Sequence, residues 1–340
     1  GVGLTTPELA VLLAYSKITL DREILNSDLV NDTVFEELLV NYFPTYLQQH
    51  YADNIKHHYL RKEIIANQLA NLVVNFMGIT FVTRFEDEFR LPVAHILRAF
   101  WTVYKLVDAE TVFVQIDALD NKVPANVQID MRIRFKKALE RMTRWILRNL
   151  KDSNTVVGLI AKYRTEIIKL VTLLPQIIQS ANYPEICDME NNLTNLGVPQ
   201  QLAYIIARSN HIPQLLDITI LAQETQHKLE AVASNYFYVG RALRIDWLLK
   251  NLIALPENNK WQALSRSALL ADGYTLYGAI IRNAIAVTDS QDDYFVQTWI
   301  EKEPVKIQQL NTMFDELQSY KVLDLAMLSA VVRELGRILA

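Results

Sequence analysis

Cysteine is nearly absent from this chain, and glycine and proline are scarce. A single Cys187 excludes an internal disulfide framework and suits a reducing compartment. Only 9 glycines and 10 prolines occur in 340 residues. That shortage disfavours tight hairpins and glycine-rich phosphate loops together, and so points to helices. Motifs are missing as well. Gly1-Val2-Gly3 lacks the third glycine and the preceding strand of a dinucleotide loop, and neither a P-loop nor a nucleophile elbow occurs. The paired E-x-x-H motifs of the di-iron kind are absent, so a bundle-core metal centre has no support. The opening residues carry neither a basic region nor an apolar core, which excludes a signal peptide, and no initiating Met is present, as expected of a segment cut from something longer. A formal charge of -4 argues against coating nucleic acid.

Hydrophobic residues make up 51% of the chain, ample for a large core. Helical periodicity runs almost throughout, so the expectation is an all-α multi-helix bundle or irregular helical array with no β-sheet. The division expected is an N-terminal helical subdomain over 1–150, with a central helix over 52–77, and a C-terminal helical bundle over 151–340. Lys151-Asp152-Ser153-Asn154 supplies the boundary.

His57 to Gly78 is the stretch around which the chain should be organised. No charge follows Glu63 until Arg84, and Asn67, Asn71 and Asn75 recur at helical spacing with Leu60 and Ile64. A helix apolar nearly all round belongs inside a bundle, so the carboxamides should find partners on neighbouring helices. A ligand is the competing reading of the same stripe. Ile64 to Thr83 is long enough to span a bilayer, but its Asn, Gln and Thr residues make that costly, and no membrane is expected. Arg61 and Lys62 stand at the wet end as a contact point for something outside.

Two further patterns carry weight. His50, Asp53 and His57 share one helical face, yet zinc sites gather ligands from several elements and a solvated face explains them equally, so no metal is expected. Arg134, Lys137, Arg141, Arg144, Arg148 and Lys151 form a basic stripe on a long helix from Pro124 to about Leu150. The stripe can pair with Glu86-Asp87-Glu88 or Asp292-Asp293 of the same chain, dock an acidic partner, or hold an anion. From the residues alone this is a helical interaction or regulatory domain with no catalytic set.

Several segments resemble a known family. Leu4-Thr5-Thr6-Pro7-Glu8-Leu9-Ala10-Val11-Leu12-Leu13-Ala14-Tyr15-Ser16-Lys17 is similar to the L-T-R-P-E-L-A-V-L-L-A-Y-A-K stretch of the large bacterial NAD-specific glutamate dehydrogenases, with Thr6 where the family has Arg. Tyr42-Phe43-Pro44, His58 to Ala66 and Asn71 to Asn75 resemble its next segments in the same order. The similarity continues through Leu119 to Ala125 and Arg141 to Asn149 and is looser beyond about residue 150. The resemblance implies a C-terminal, non-catalytic helical region serving assembly, interdomain positioning or regulation. It further implies a homo-oligomeric, cytoplasmic parent enzyme that oxidises glutamate with NAD, while the cofactor and catalytic residues lie in an upstream catalytic domain. Two rivals remain: a free-standing interaction scaffold using the basic stripe, and an effector-binding domain using the Asn stripe with Arg61.

Overall fold

The computed structural model describes residues 3–150, 155–178, 183–256, 259–288 and 293–339. Among these residues the regular structure is entirely helical, with nineteen α-helices and no strand. Two compact units emerge, 1–164 and 165–340. The expected boundary tetrapeptide at 151–154 lies outside the described residues.

The first unit opens with α1 (Thr6–Leu25), entered through a capping box. The Thr5 backbone N and Oγ1 donate to Glu8 Oε2 at 2.7 and 2.8 Å, and Pro7 occupies the first turn. Periodicity suggested a stop near Ile18 with a second helix from Thr19. The helix instead runs on to Leu25, because neither glycine nor proline interrupts it and Leu20 and Ile24 gain burial. Two 3-10 turns, Asp28–Asn31 and Thr33–Phe35, lead into α2 (Glu36–Tyr42), α3 (Thr45–His50) and α4 (Ala52–Lys56). The central helix expected from residue 52 does not begin until Arg61, as α5 (Arg61–Met77). His58 is the physical reason: its Nδ1 accepts the Leu60 N–H at 3.1 Å, a local side-chain bond that competes with helix formation. Gly78, at φ +80°, ends α5 as expected.

α6 (Phe81–Phe89), α7 (Val93–Leu106), α8 (Ala109–Asp117) and α9 (Ala125–Asn149) complete the unit. Its centre is α7, not α5. Of the fourteen residues of α7 eleven are buried, against seven of seventeen in α5. Trp101 packs on Phe35 and Tyr104, Phe100 on Phe81, and Phe113 bridges Phe76 to Phe135. Each fully buried aromatic of this set contributes roughly 2–3 kcal/mol.

The division between units falls inside α10 (Val156–Ile177), one helix where the sequence pattern reads as two, at about 154–163 and 165–179. The second unit continues with α11 (Pro184–Asn195), α12 (Gln200–Ala207), α13 (Gln214–Thr225), α14 (Leu229–Ala242) and α15 (Ile245–Ala254). α16 (Lys260–Val287), α17 (Phe295–Lys302), α18 (Pro304–Gln318) and α19 (Leu325–Leu339) follow. Helices α13, α14, α15, α17 and α19 pack around α16, whose Tyr277, Ile280, Ile281 and Ala284 have no exposed surface.

Helix ends here are made largely without glycine. Arg90, Asp108, Asn121, Gln226 and Arg244 all take left-handed backbone with φ from 50 to 60°. No single described helix is long and apolar enough to cross a membrane; α5 and α6 together pass on length and composition but are bent by 89°.

Candidate functional site

The Asn stripe of α5 faces outward. Ile65, Ala66, Leu69, Ala70, Val73, Val74 and Met77 form the buried side, while Asn67 and Asn75 are exposed and Asn71 is half-buried. Asn71 Nδ2 donates to Asn67 Oδ1 at 3.0 Å along the helix, a bond that needs no neighbouring helix. The expectation of buried carboxamides bonded between helices is therefore corrected. Exposed carboxamides need no partner helix, and the apolar residues on the opposite side suffice to pack α1, α2 and α9. Arg61 is half-buried and reaches Glu36 at 3.9 Å, while Lys62 is exposed.

The three candidate ligands at the α3–α4 corner do not converge. His50 Nδ1 bonds to Tyr46 O and His57 Nδ1 to Asp53 O, at 2.9 and 2.7 Å, each ring tied to its own helix. Among the described residues no group of three His, Cys, Asp or Glu could hold a metal ion. Cys187 is half-buried, with Asn191 Nδ2 3.5 Å from its sulfur.

The basic stripe on α9 is spent largely within the first unit. Arg144 and Arg148 both bond Glu88 of α6 at 2.8 Å, and their guanidinium groups lie over Phe85 and Phe89. Glu140, buried on α9, takes two bonds from Arg84 at 2.6 and 3.3 Å, with Lys136 and Arg144 at 3.8 and 3.7 Å. Burial beside this cluster holds the Lys136 ammonium below its usual range, and the Glu140 charge pulls the other way. Arg134 pairs with Asp130 one turn away, Lys137 is exposed and Arg141 is half-buried. Of the three readings of the stripe, pairing with Glu86-Asp87-Glu88 is the one seen, through Glu88; Lys151 and Asp292 lie outside the described residues.

The most developed polar cluster was not read from the sequence. In the second unit the Tyr277 hydroxyl donates to Asp246 Oδ1, and Tyr183 lies beside that carboxyl. Tyr236 stacks on Tyr277 at 4.6 Å and donates to Asp217 Oδ2 at 3.2 Å. Asp246 Oδ2 is buried without a hydrogen-bond partner among the described residues. Burial raises the Asp246 carboxyl above its usual range, although His211, both tyrosines and Arg241 work against the shift. Gly240 makes room for the pair: a Cβ there would meet Tyr277 Oη and sit 2.5 Å from Asp246 Oδ1. That glycine was the available signal. It reads as a helix end in the sequence, but it sits inside α14 because a side chain would displace the carboxyl.

A different kind of site lies at the start of α1. Leu9, Val11, Leu12, Leu13, Tyr15 and Ile18 are 42 to 66% exposed, in a helix whose second half is anchored on α5.

Comparison with known proteins gives a consistent picture. The family model for the C-terminal part of glutamate dehydrogenase matches residues 1–337. The NAD-specific glutamate dehydrogenases of Pseudomonas aeruginosa and Halomonas elongata are 31% identical to this chain over 337 and 288 residues. That of Mycobacterium tuberculosis is 25% identical over 340 residues. These matches cover 98, 85 and 99% of this chain, but 21, 17 and 21% of the relatives. The chain thus spans about a fifth of the length of the curated relatives it matches.

Proposed function

The chain belongs to the family of glutamate dehydrogenase C-terminal regions, and on that premise we propose that it is the non-catalytic helical end of an NAD-dependent enzyme. The parent reaction converts L-glutamate, NAD+ and water to 2-oxoglutarate, ammonium, NADH and a proton. Its cofactor and reacting groups belong to the preceding catalytic part of the longer chain. The role of this segment is assembly of a cytoplasmic homo-oligomer and positioning of that catalytic part.

One observation carries this reading: the family match extends over nearly the whole chain, while the chain accounts for a fifth of each fully matched relative. The polar groups of the first unit agree with a mechanical task. Glu88 and Glu140 consume four cations in bracing α6 against α9, which stiffens a body instead of preparing a reaction. A stiff helical body packed against a catalytic cleft biases its opening and closing.

Two measurements test the proposal. Residues 1–340 alone, given NAD and glutamate, should produce no NADH, and turnover by the segment would refute it. Deleting the segment from the full chain should change both sedimentation and the kinetics of glutamate oxidation; unaltered assembly together with unaltered kinetics would remove the positioning role.

A further inference from the structure

We infer that the first half of α1 is a plug enclosed by the preceding part of the longer chain, an inference that rests on the C-terminal reading above. Its apolar residues point in every direction around the helix axis. With a step of about 100° per residue, Leu9 and Leu13 project to one side, Val11 to the opposite side, continued by Ile18 early in the second half, and Leu12 and Tyr15 between them. Ala10 and Ala14 fill the remaining face. A helix that is apolar all round is built for enclosure, whereas contact with a second copy across one face needs only a stripe.

Apart from the Tyr15 hydroxyl, the polar side chains are already bonded within the helix and its cap. No charge occurs from Leu9 to Ser16. Glu8 is turned back onto Thr5 in the capping box, and Ser16 Oγ donates to Leu12 O at 2.8 Å, within the same helix. Burial would therefore strand no charge, and of this stretch of side chains only the Tyr15 hydroxyl would need a partner in the enclosing part. Six half-exposed large side chains leave on the order of 500 Å² of apolar surface, a patch size that marks an interaction site.

The occupant follows from what lies outside the match. Relatives of this family carry about four-fifths of their length beyond the matched region, covalently joined to it. A tethered body of that size can surround a helix at high effective concentration, which a separate partner lacks.

The test uses the full chain, with a photo-reactive benzophenone amino acid in place of Tyr15. Illumination should give an adduct with peptides outside residues 1–340, migrating as a single chain. Adducts joining two copies through residues 1–340, or no adduct at all, would overturn the inference. Leu12→Glu in the same chain should abolish the adduct, and Leu12→Ala should weaken it; an unchanged adduct in the glutamate variant counts against enclosure. NAD-linked glutamate oxidation by the unmodified full chain is measured in parallel. Its absence would sink the parent-enzyme reading while leaving the cross-link to decide the docking.

Discussion

Replacing Arg208 by alanine should unfold the second unit far more readily than any surface change. The Arg208 side chain is 2% exposed, with Nη1 on Glu190 Oε1 and with Nε and Nη2 donating to Ile178 O at 3.3 and 3.0 Å. It therefore neutralises a buried carboxylate and ties the residue just after α10 to α11 and α12. Removing one member of a buried ion pair leaves its partner charged in a poor solvent, which costs about 3–5 kcal/mol. Glu190→Ala strips the guanidinium of its anion and should fall in the same range. The double variant Glu190→Leu with Arg208→Met leaves no buried charge and should recover most of the loss, since apolar replacement of a whole buried pair is often close to neutral. Urea unfolding followed by circular dichroism reads this directly: at a slope near 2 kcal/mol/M, a loss of about 4 kcal/mol moves the midpoint by roughly 2 M. Strictly additive effects of the two single alanine variants, or a loss under about 1 kcal/mol for Arg208→Ala, would show that the pair is not the clamp its geometry suggests.

Three other outcomes follow from the same physics. Burial holds the folded-state Asp246 carboxyl above its unfolded value, so the native state binds the extra proton over that interval and stability should fall as pH rises through it. Asp246→Asn should remove this part of the slope in thermal midpoints measured from about pH 4 upward, and an unchanged slope would reject the assignment. Gly240→Ala places a methyl against Tyr277 Oη and Asp246 and should cost about 1–3 kcal/mol in calorimetry; a neutral result would mean the pair relaxes freely. Asn71→Leu on the outward stripe should change the stability of the segment by less than about 0.5 kcal/mol, and a larger loss in chemical unfolding would restore a buried role for the carboxamides.

Helices were legible where the chain punctuates them. Pro44, Gly78, Pro92, Pro124, Pro184 and Pro304 all stand at or beside observed helix ends. Periodicity alone gave the wrong connection where a break was inferred without such a residue, as at Thr19 and near residue 164. The side of α5 that meets solvent was misread for a different reason. A helix uncharged beyond its first turn and made of carboxamides and aliphatics looks apolar all round in composition, yet its carboxamides lie in one line and a line can face water. The Glu88 pairing was visible because both partners lie on amphipathic helices with a charged face. The Asp246 cluster was not, since it assembles residues from four helices and a connecting residue that no spacing rule links. The exposure of α1 was invisible too, because a run of leucines reads as core until something is shown to leave it uncovered.

The left-handed residues at the helix ends carry a consequence for engineering. Arg90, Asp108, Asn121, Gln226 and Arg244 each hold a backbone conformation that glycine adopts without strain. The chain has thus stored a small conformational debt at five junctions, of order 1 kcal/mol each for the bulkier side chains. Arg90 and Gln226 are the natural places to release it, because both terminate helices and neither side chain anchors another element among the bonds seen here. Arg244 is not, since its guanidinium holds Asp315 at 2.5 Å and the strain there secures a long-range tie. Glycine scarcity, met first as a property of composition, becomes a reserve of stability that two substitutions can draw on without touching the core.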